Sequence, residues 1–360
     1  MRSELLLGFR SVIFSFLVAG AAWPLPSHGW WDGGHKLIAL IAWDQLNEGQ
    51  RSELLTTLTS HERFEEDFEK AMPPDIAQGN ASDRAQWIIA QASIWPDLAR
   101  KFPAGERDRF HRSTWHYVNT PLWLEPHRPA LRPKPGQQVP VPELRSVEEI
   151  FAPASPHEDL HVSEMIPLLR NGWEREGVRG AERALLVCWL CHLVGDVHQP
   201  LHTVALFSPK LFPTGDRGGN ETRVRVKGSI NSSNLHMIWD GLLGGYEDLN
   251  EVRARKARLL QNPEVVASGP AAVATSGISS WLDEGTALAM DAVYTPEILK
   301  VARSAEEAGE GKVVVIQEAY LRRAGLIAQR RAVEGGYRLA EILRAGLTVA
   351  PSDLSNRRDP

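Results

Sequence analysis

The sequence predicts a mainly α-helical protein, one domain with a small β segment and long loops. Apolar residues recur at helical spacing along most of the chain, while only one stretch alternates at the period of a strand. Nor does any clean linker separate the residues that carry chemistry, which are spread from Trp30 to Asp240. Within 360 residues, 43% hydrophobic and 24% charged side chains exclude disordered and fibrous classes. Forty basic against 45 acidic residues give a net charge of −5, which disfavours a basic, groove-tracking nucleic-acid module.

The chain opens with Arg2 and Arg10, followed by an apolar run from Ser11 to Ala22. That run is too short to cross a bilayer but has the length of a signal-peptide core. Trp23-Pro-Leu-Pro26 then breaks any helix, and Ser27 and Gly29 are small residues at the positions a signal peptidase reads. Cleavage is therefore expected between Gly29 and Trp30, giving a signal peptide over 1–29 and a secreted or periplasmic protein. The other reading, an uncleaved anchor, lacks the flanks of a stop-transfer segment. The expected domain spans 30–347, with a tail over 348–360, and the mature chain keeps 38 basic and 44 acidic residues.

Helical periodicity then predicts helices over 36–46, 51–58, 84–94, 163–173, 180–194, 314–326 and 329–347. Glu221-Thr-Arg-Val-Arg-Val-Lys227 alternates polar and β-branched residues and is the candidate strand. A proline-rich excursion between Phe102 and Pro156, centred on 131–142, and a stretch from Phe207 to Asn220 are expected as surface loops. Cys188 and Cys191 have the spacing of a redox pair or half a zinc site. Their apolar surroundings, however, predict a buried helix in which they act as small hydrophobes.

Several of the twelve histidines are paired with aspartates. His192 with Asp196, and His236 with Asp240, are i, i+4 pairs that point two ligands from one helix face at a single metal. Pro200 ends the first of these helices, letting His202 turn in from the following segment. Asp97 and His116 each lie beside large aromatics, and Trp30-Trp-Asp-Gly-Gly-His35 begins at the expected mature terminus. A freed amino group on Trp30, with a pKa of about 7.7 to 8.0, is basic enough to serve as a ligand. Any one of these histidines alone could be an ordinary core or surface residue; together they describe a His and Asp set suited to zinc.

The segments Ser93-Ile-Trp-Pro-Asp97 with Arg100, Trp115-His-Tyr-Val-Asn119, His192 to His202, Gly218-Gly-Asn220 and Asn234 to Asp240 resemble one known family. It is the zinc-dependent, single-strand-specific nucleases and 3′-nucleotidases of fungi, plants and bacteria, related to zinc phospholipases C, and the resemblance runs from Trp30 to about Leu343. It implies a single helical domain of the zinc phospholipase C and nuclease type, with three zinc ions per chain. One zinc would take Asp97, His116, His192 and Asp196; a second, the amino group and carbonyl of Trp30, His35 and the shared Asp196; the third, His202, His236 and Asp240. The resemblance further implies zinc-activated hydrolysis of single-stranded DNA, RNA and 3′-nucleotides to 5′-phosphorylated products. No stable membrane association and no obligate protein partner are expected.

Asp97 and Arg100 are the candidate catalytic residues, the first orienting water and the second gripping phosphate. Tyr117 is the candidate base-stacking platform. Gly241 stands where some relatives carry an amide that contacts the nucleoside. A zinc phospholipase C is the alternative, because it would share the metal set. His157-Glu-Asp-Leu-His161 matches the zincin pattern but follows Pro156 at a helix start and lacks a third ligand, so it is expected to be coincidental.

Overall fold

The computed structural model describes residues 30–124, 141–152, 155–245, 248–275 and 277–347. The expected signal peptide, the 131–140 core of the proline-rich excursion and the 348–360 tail lie outside the described residues.

The helices are α1 (Asp32–Asp44), α2 (Glu48–Thr59), α3 (Pro74–Ala77), α4 (Ala81–Leu98), α5 (Ala104–Phe110), α6 (Val147–Ile150), α7 (Val162–Glu174) and α8 (Gly180–Val197). They continue with α9 (Leu235–Asp240), α10 (Leu249–Leu259), α11 (Pro263–Val273), α12 (Ile278–Leu288), α13 (Pro296–Ala308) and α14 (Glu318–Gly346). Asn47 and Asn80 close capping boxes at the starts of α2 and α4, satisfying N–H groups that a helix terminus leaves unpaired. Every residue of α8 from Ala184 to Val197 is buried, in a stretch that is apolar apart from His192 and Asp196. It packs among α1, α2, α4, α7 and α14. Helix α14 crosses α1 closely: a Cβ on Gly336 would lie 2.5 Å from Ile41 Cγ2, so glycine is what permits the approach.

Strands β1 (Thr120–Trp123) and β2 (Val204–Phe207) form a parallel pair, with Thr120 opposite Val204. Strands β3 (Arg223–Val226), β4 (Ser233–Asn234) and β5 (Val314–Ile316) form a second sheet in the order β4-β3-β5, antiparallel and then parallel. The fold is thus mainly helical with a small β segment, as the periodicity predicts, and β3 lies inside the predicted strand.

Three expectations need correction. Val314–Ile316 is a strand, and the helices expected at 314–326 and 329–347 are one continuous 29-residue helix, α14. The β-branched Val-Val-Ile run pairs with β3 before α14 begins. The 207–220 stretch is no mere surface loop, because Phe212 and Asp216 are buried in it. Asp216 accepts hydrogen bonds from Leu206 N, Thr222 Oγ1 and Tyr294 Oη at 2.7–2.9 Å, anchoring the segment to the core. The 102–156 excursion, finally, carries α5, β1 and α6 within its described part.

Cys188 and Cys191 are free, fully buried thiols on α8. Burial holds Cys188 well above the ordinary thiol range and pushes Cys191 up to about 12, so both behave as hydrophobes.

Candidate metal centre

Helix α1 brings His35, the last turn of α4 brings Asp97, and the 3-10 turn Ser113–His116 brings His116. Helix α8 carries His192 and Asp196 on one face, the 3-10 turn Pro200–His202 carries His202, and α9 carries His236 and Asp240. Backbone bonds tie the first and last of these segments together: Trp31 N donates to Asp240 O at 3.1 Å, and Gly33 N to Gly245 O at 2.8 Å.

These side chains form three groups with converging nitrogen and oxygen atoms: His35, His192 and Asp196; Asp97, His116 and His192; and His202, His236 and Asp240. Asp196 sits at the junction. Its Oδ2 lies 3.0 Å from His116 Nδ1 and 3.3 Å from His192 Nε2, and its Oδ1 lies 3.5 Å from His35 Nε2. His192 Nε2 is also 3.9 Å from Asp97 Oδ1. The family resemblance assigns sharing to Asp196, whereas here it is His192 that stands in two groups, with the His35 ring stacked on it at 4.1 Å.

Backbone carbonyls fix several of the rings. His192 Nδ1 donates to Ser93 O at 2.8 Å, His202 Nδ1 to His116 O at 2.6 Å, and His236 Nδ1 to Gly218 O at 2.7 Å. A ring nitrogen that donates in this way leaves its Nε2 as a lone pair. The Nε2 atoms of His202 and His236 then face each other at 3.2 Å, and His236 Nε2 faces Asp240 Oδ2 at 3.3 Å. Opposed lone pairs repel unless a cation lies between them. Gln199 Nε2 donates to Asp240 Oδ1 at 2.8 Å, which fixes the orientation of the carboxylate so that Oδ2 faces His236.

The buried atoms His35 Nδ1, His35 Nε2 and Asp196 Oδ1 have no hydrogen-bond partner, a costly state that a metal would relieve. Burial pushes the carboxyls of Asp196 and Asp240 well above their usual range, holds His35 well below its own, and brings His116 down to about 4. Without a cation the site therefore favours uncharged groups. The donor set, the orphaned atoms and the facing lone pairs all fit zinc, which takes imidazole nitrogen and carboxylate oxygen in three- and four-ligand sites.

The other predicted residues border the centre. Arg100 Nη2 lies 3.4 Å from Asp97 Oδ1, and both side chains keep partial exposure. Tyr117 lines a cleft with Asn119, Leu201, Arg217 and His236. Trp30 is wholly buried against Gly34, where a Cβ would lie 2.5 Å from Trp30 Cβ. Sequence reasoning missed Gln199, Gly195 and Arg217. Gly195 and Gln199 both lie inside the His192 to His202 motif and so carried a signal; Arg217 carried none. The zincin-like stretch is structural: His157 O accepts from Trp115 Nε1 at 2.8 Å, and His161 caps α7 in a box with Glu164. It contributes to no metal group among the described residues.

With this geometry in place, the fold and site define a zinc-type hydrolase of nucleic acids. Residues 30–348 match the S1/P1 nuclease family, and the chain belongs to it. It is similar to Endonuclease 1 of Arabidopsis thaliana, 22% identical over 290 residues that cover 78% of this chain and 82% of the relative. Endonuclease 5 of the same plant is 26% identical over 189 residues, half of each chain. Among the described residues no helix is long and apolar enough to cross a membrane.

Proposed function

We propose that this protein is exported, cleaved before Trp30, and hydrolyses single-stranded DNA, RNA and 3′-nucleotides to 5′-phosphorylated products. The observation that carries this reading is the set of carbonyl-fixed imidazoles whose Nε2 lone pairs converge with Asp97, Asp196 and Asp240. Three zinc ions would be held by Asp97, His116, His192 and Asp196; by the Trp30 amino group and carbonyl with His35 and Asp196; and by His202, His236 and Asp240. When bound, they supply Lewis-acid polarisation of phosphate oxygens and make a nucleophile of water at neutral pH.

The protein's own groups direct the rest. Asp97, at the partly open edge of the buried cluster, accepts a proton from the attacking water and aligns it. Arg100, partly exposed beside Asp97, presents its planar guanidinium to the phosphate oxygens. Tyr117 forms the half-buried wall of the cleft beside His236 and stacks a base there. A duplex hides its bases in its own stack, so single strands are preferred.

The test is hydrolysis by protein beginning at Trp30, after chelation and after zinc is restored, on single-stranded DNA, RNA, duplex DNA, a 3′-mononucleotide and phosphatidylcholine. Zinc-restored cleavage of single strands well above duplex, leaving 5′-phosphates, is expected. Hydrolysis of phosphatidylcholine alone would keep the metal centre and overturn the substrate, and equal rates on duplex and single strand would remove the role given to Tyr117.

A further inference from the structure

The 217–227 segment concentrates exposed positive charge on one short stretch of the chain. Arg217, Arg223, Arg225 and Lys227 are all exposed, within eleven residues that hold Glu221 as the one exposed acid. Several arginines elsewhere are neutralised, among them Arg63 by Asp67 and Glu106, and Arg331 and Arg338 by Glu284. The four cations at 217–227 form no ion pair among the described residues. In a protein of net charge −5, unneutralised positive charge at this density is a local anion site.

Its placement gives it a direction. Strand periodicity puts Arg223 and Arg225 on one face of β3, about 6.6 Å apart, with Lys227 next in the row. Their sheet neighbours are uncharged, Asn234 opposite Arg223 and Val315 opposite Arg225. At one end the row reaches the metal centre, because Arg217 lines the cleft with Tyr117, Asn119 and His236, and β4 runs directly into α9. At the other end it leads away over the exposed sheet. A row of cations at strand spacing, starting at the site of phosphate chemistry, fits a chain of phosphates.

We propose that the exposed face of β3 is a backbone track for single-stranded polynucleotide, on which Arg217, Arg223, Arg225 and Lys227 hold phosphates flanking the one being hydrolysed. This rests on the nucleic-acid reading of the metal centre and extends it, since it separates long substrates from mononucleotides. A 3′-mononucleotide has no flanking phosphates and gains nothing from the track. A polynucleotide gains affinity that weakens with salt, because each phosphate contact releases counterions.

The experiment compares wild type with the triple variant R223Q/R225Q/K227Q, with zinc bound, on a 20-nucleotide single strand and on a 3′-mononucleotide across a salt series. The expected result is a KM for the oligonucleotide raised about tenfold at low salt, with the salt slope of binding reduced by about 2, near 0.7 per lost contact. Mononucleotide kcat/KM should hold, which a merely misfolded variant would not allow. An unchanged oligonucleotide KM and salt slope would overturn the track, as would an equal loss on both substrates. Loss of binding to phosphatidylglycerol vesicles, with oligonucleotide binding intact, would assign the face to an anionic membrane instead. If wild type cleaves no nucleic acid, the function proposed above fails first. Fluorescence anisotropy of a labelled single strand on the two proteins then still decides the track, equal salt slopes overturning it.

Discussion

His35 occupies the space a side chain at position 195 would need: a Cβ there would lie 2.6 Å from His35 Nδ1. The ring cannot retreat, being wholly buried and stacked on His192. Gly195→Ala should therefore push His35 out of its group. Removing such support typically costs about 10–100-fold in metal affinity or activity. Zinc content by mass spectrometry should fall by one ion per chain and activity by at least tenfold; unchanged zinc and rate would mean that His35 holds no metal. His61 makes a different point at the same scale. Its ring is buried against Trp95 and Phe68, its Nδ1 accepts from Arg63 N, and its Nε2 has no partner. Burial, slightly offset by Asp67, lowers its pKa to about 4. The unfolded chain takes up this proton near pH 6.5, so the stabilising contribution is complete above 6.5 and is lost as pH falls toward 4, to roughly 3 kcal/mol. In His61→Asn, the amide oxygen can still accept from Arg63 N without titrating. Urea unfolding from pH 7.5 to 4.5 should show wild type losing stability relative to the variant; a pH-independent difference would place that proton elsewhere.

Elements were legible in the sequence where burial is broad. Helices α1, α4, α7 and α8 each hide a wide apolar face, and periodicity finds them within a few residues of their ends. Helices α10 and α12 each bury three residues, and α11 carries Pro270 in its interior, so their patterns were too thin to register. The i, i+4 His and Asp pairs showed which ligands share a helix, but not that His192 would lie against His35, a packing fact spread over α1 and α8. The 207–220 segment was opaque for the same reason: its order comes from Asp216 and from Gly218 O, whose partners are distant in sequence. Arg217 in this segment has φ of 55°, a left-handed conformation that costs a residue with a Cβ about 1–2 kcal/mol. The conformation persists because Asn220 donates to Arg217 O through both N and Nδ2 while Gly218 O holds His236. Arg217→Gly should thus be more stable than Arg217→Ala by about 1 kcal/mol in chemical denaturation. Both lack the charge, so the difference isolates the backbone; equal midpoints would show that the strain is relaxed elsewhere.

On the scale of the whole molecule, folding gathers His35, His116, His192, Asp196, His202, His236 and Asp240 into a space where each is at most 4% exposed. On α14, by contrast, buried positive charge is matched inside the protein. Arg331 and Arg338 of α14 both reach Glu284 of α12, and Arg338 Nη1 donates to His198 Nε2 at 2.9 Å, fixing the end of α8 just before Gln199 and His202. Among the described residues no lysine or arginine pairs with Asp196 or Asp240, and the cluster's orphaned atoms remain a cost of folding. Zinc that binds only the folded chain converts that cost into stabilisation, about 2.7 kcal/mol for a site held at 100 times its dissociation constant. Chelation should then lower the melting temperature by roughly 5–10 °C, given about 2–4 °C per kcal/mol in domains of this order of size. Restoring zinc should recover it. Asp240→Asn, which weakens the His202 and His236 group while leaving the junction at Asp196 intact, should lose part of that zinc-dependent shift and keep the rest. A melting temperature indifferent to both chelation and zinc would mean that the cluster is stabilised by protons alone, and the metal centre would have to be abandoned.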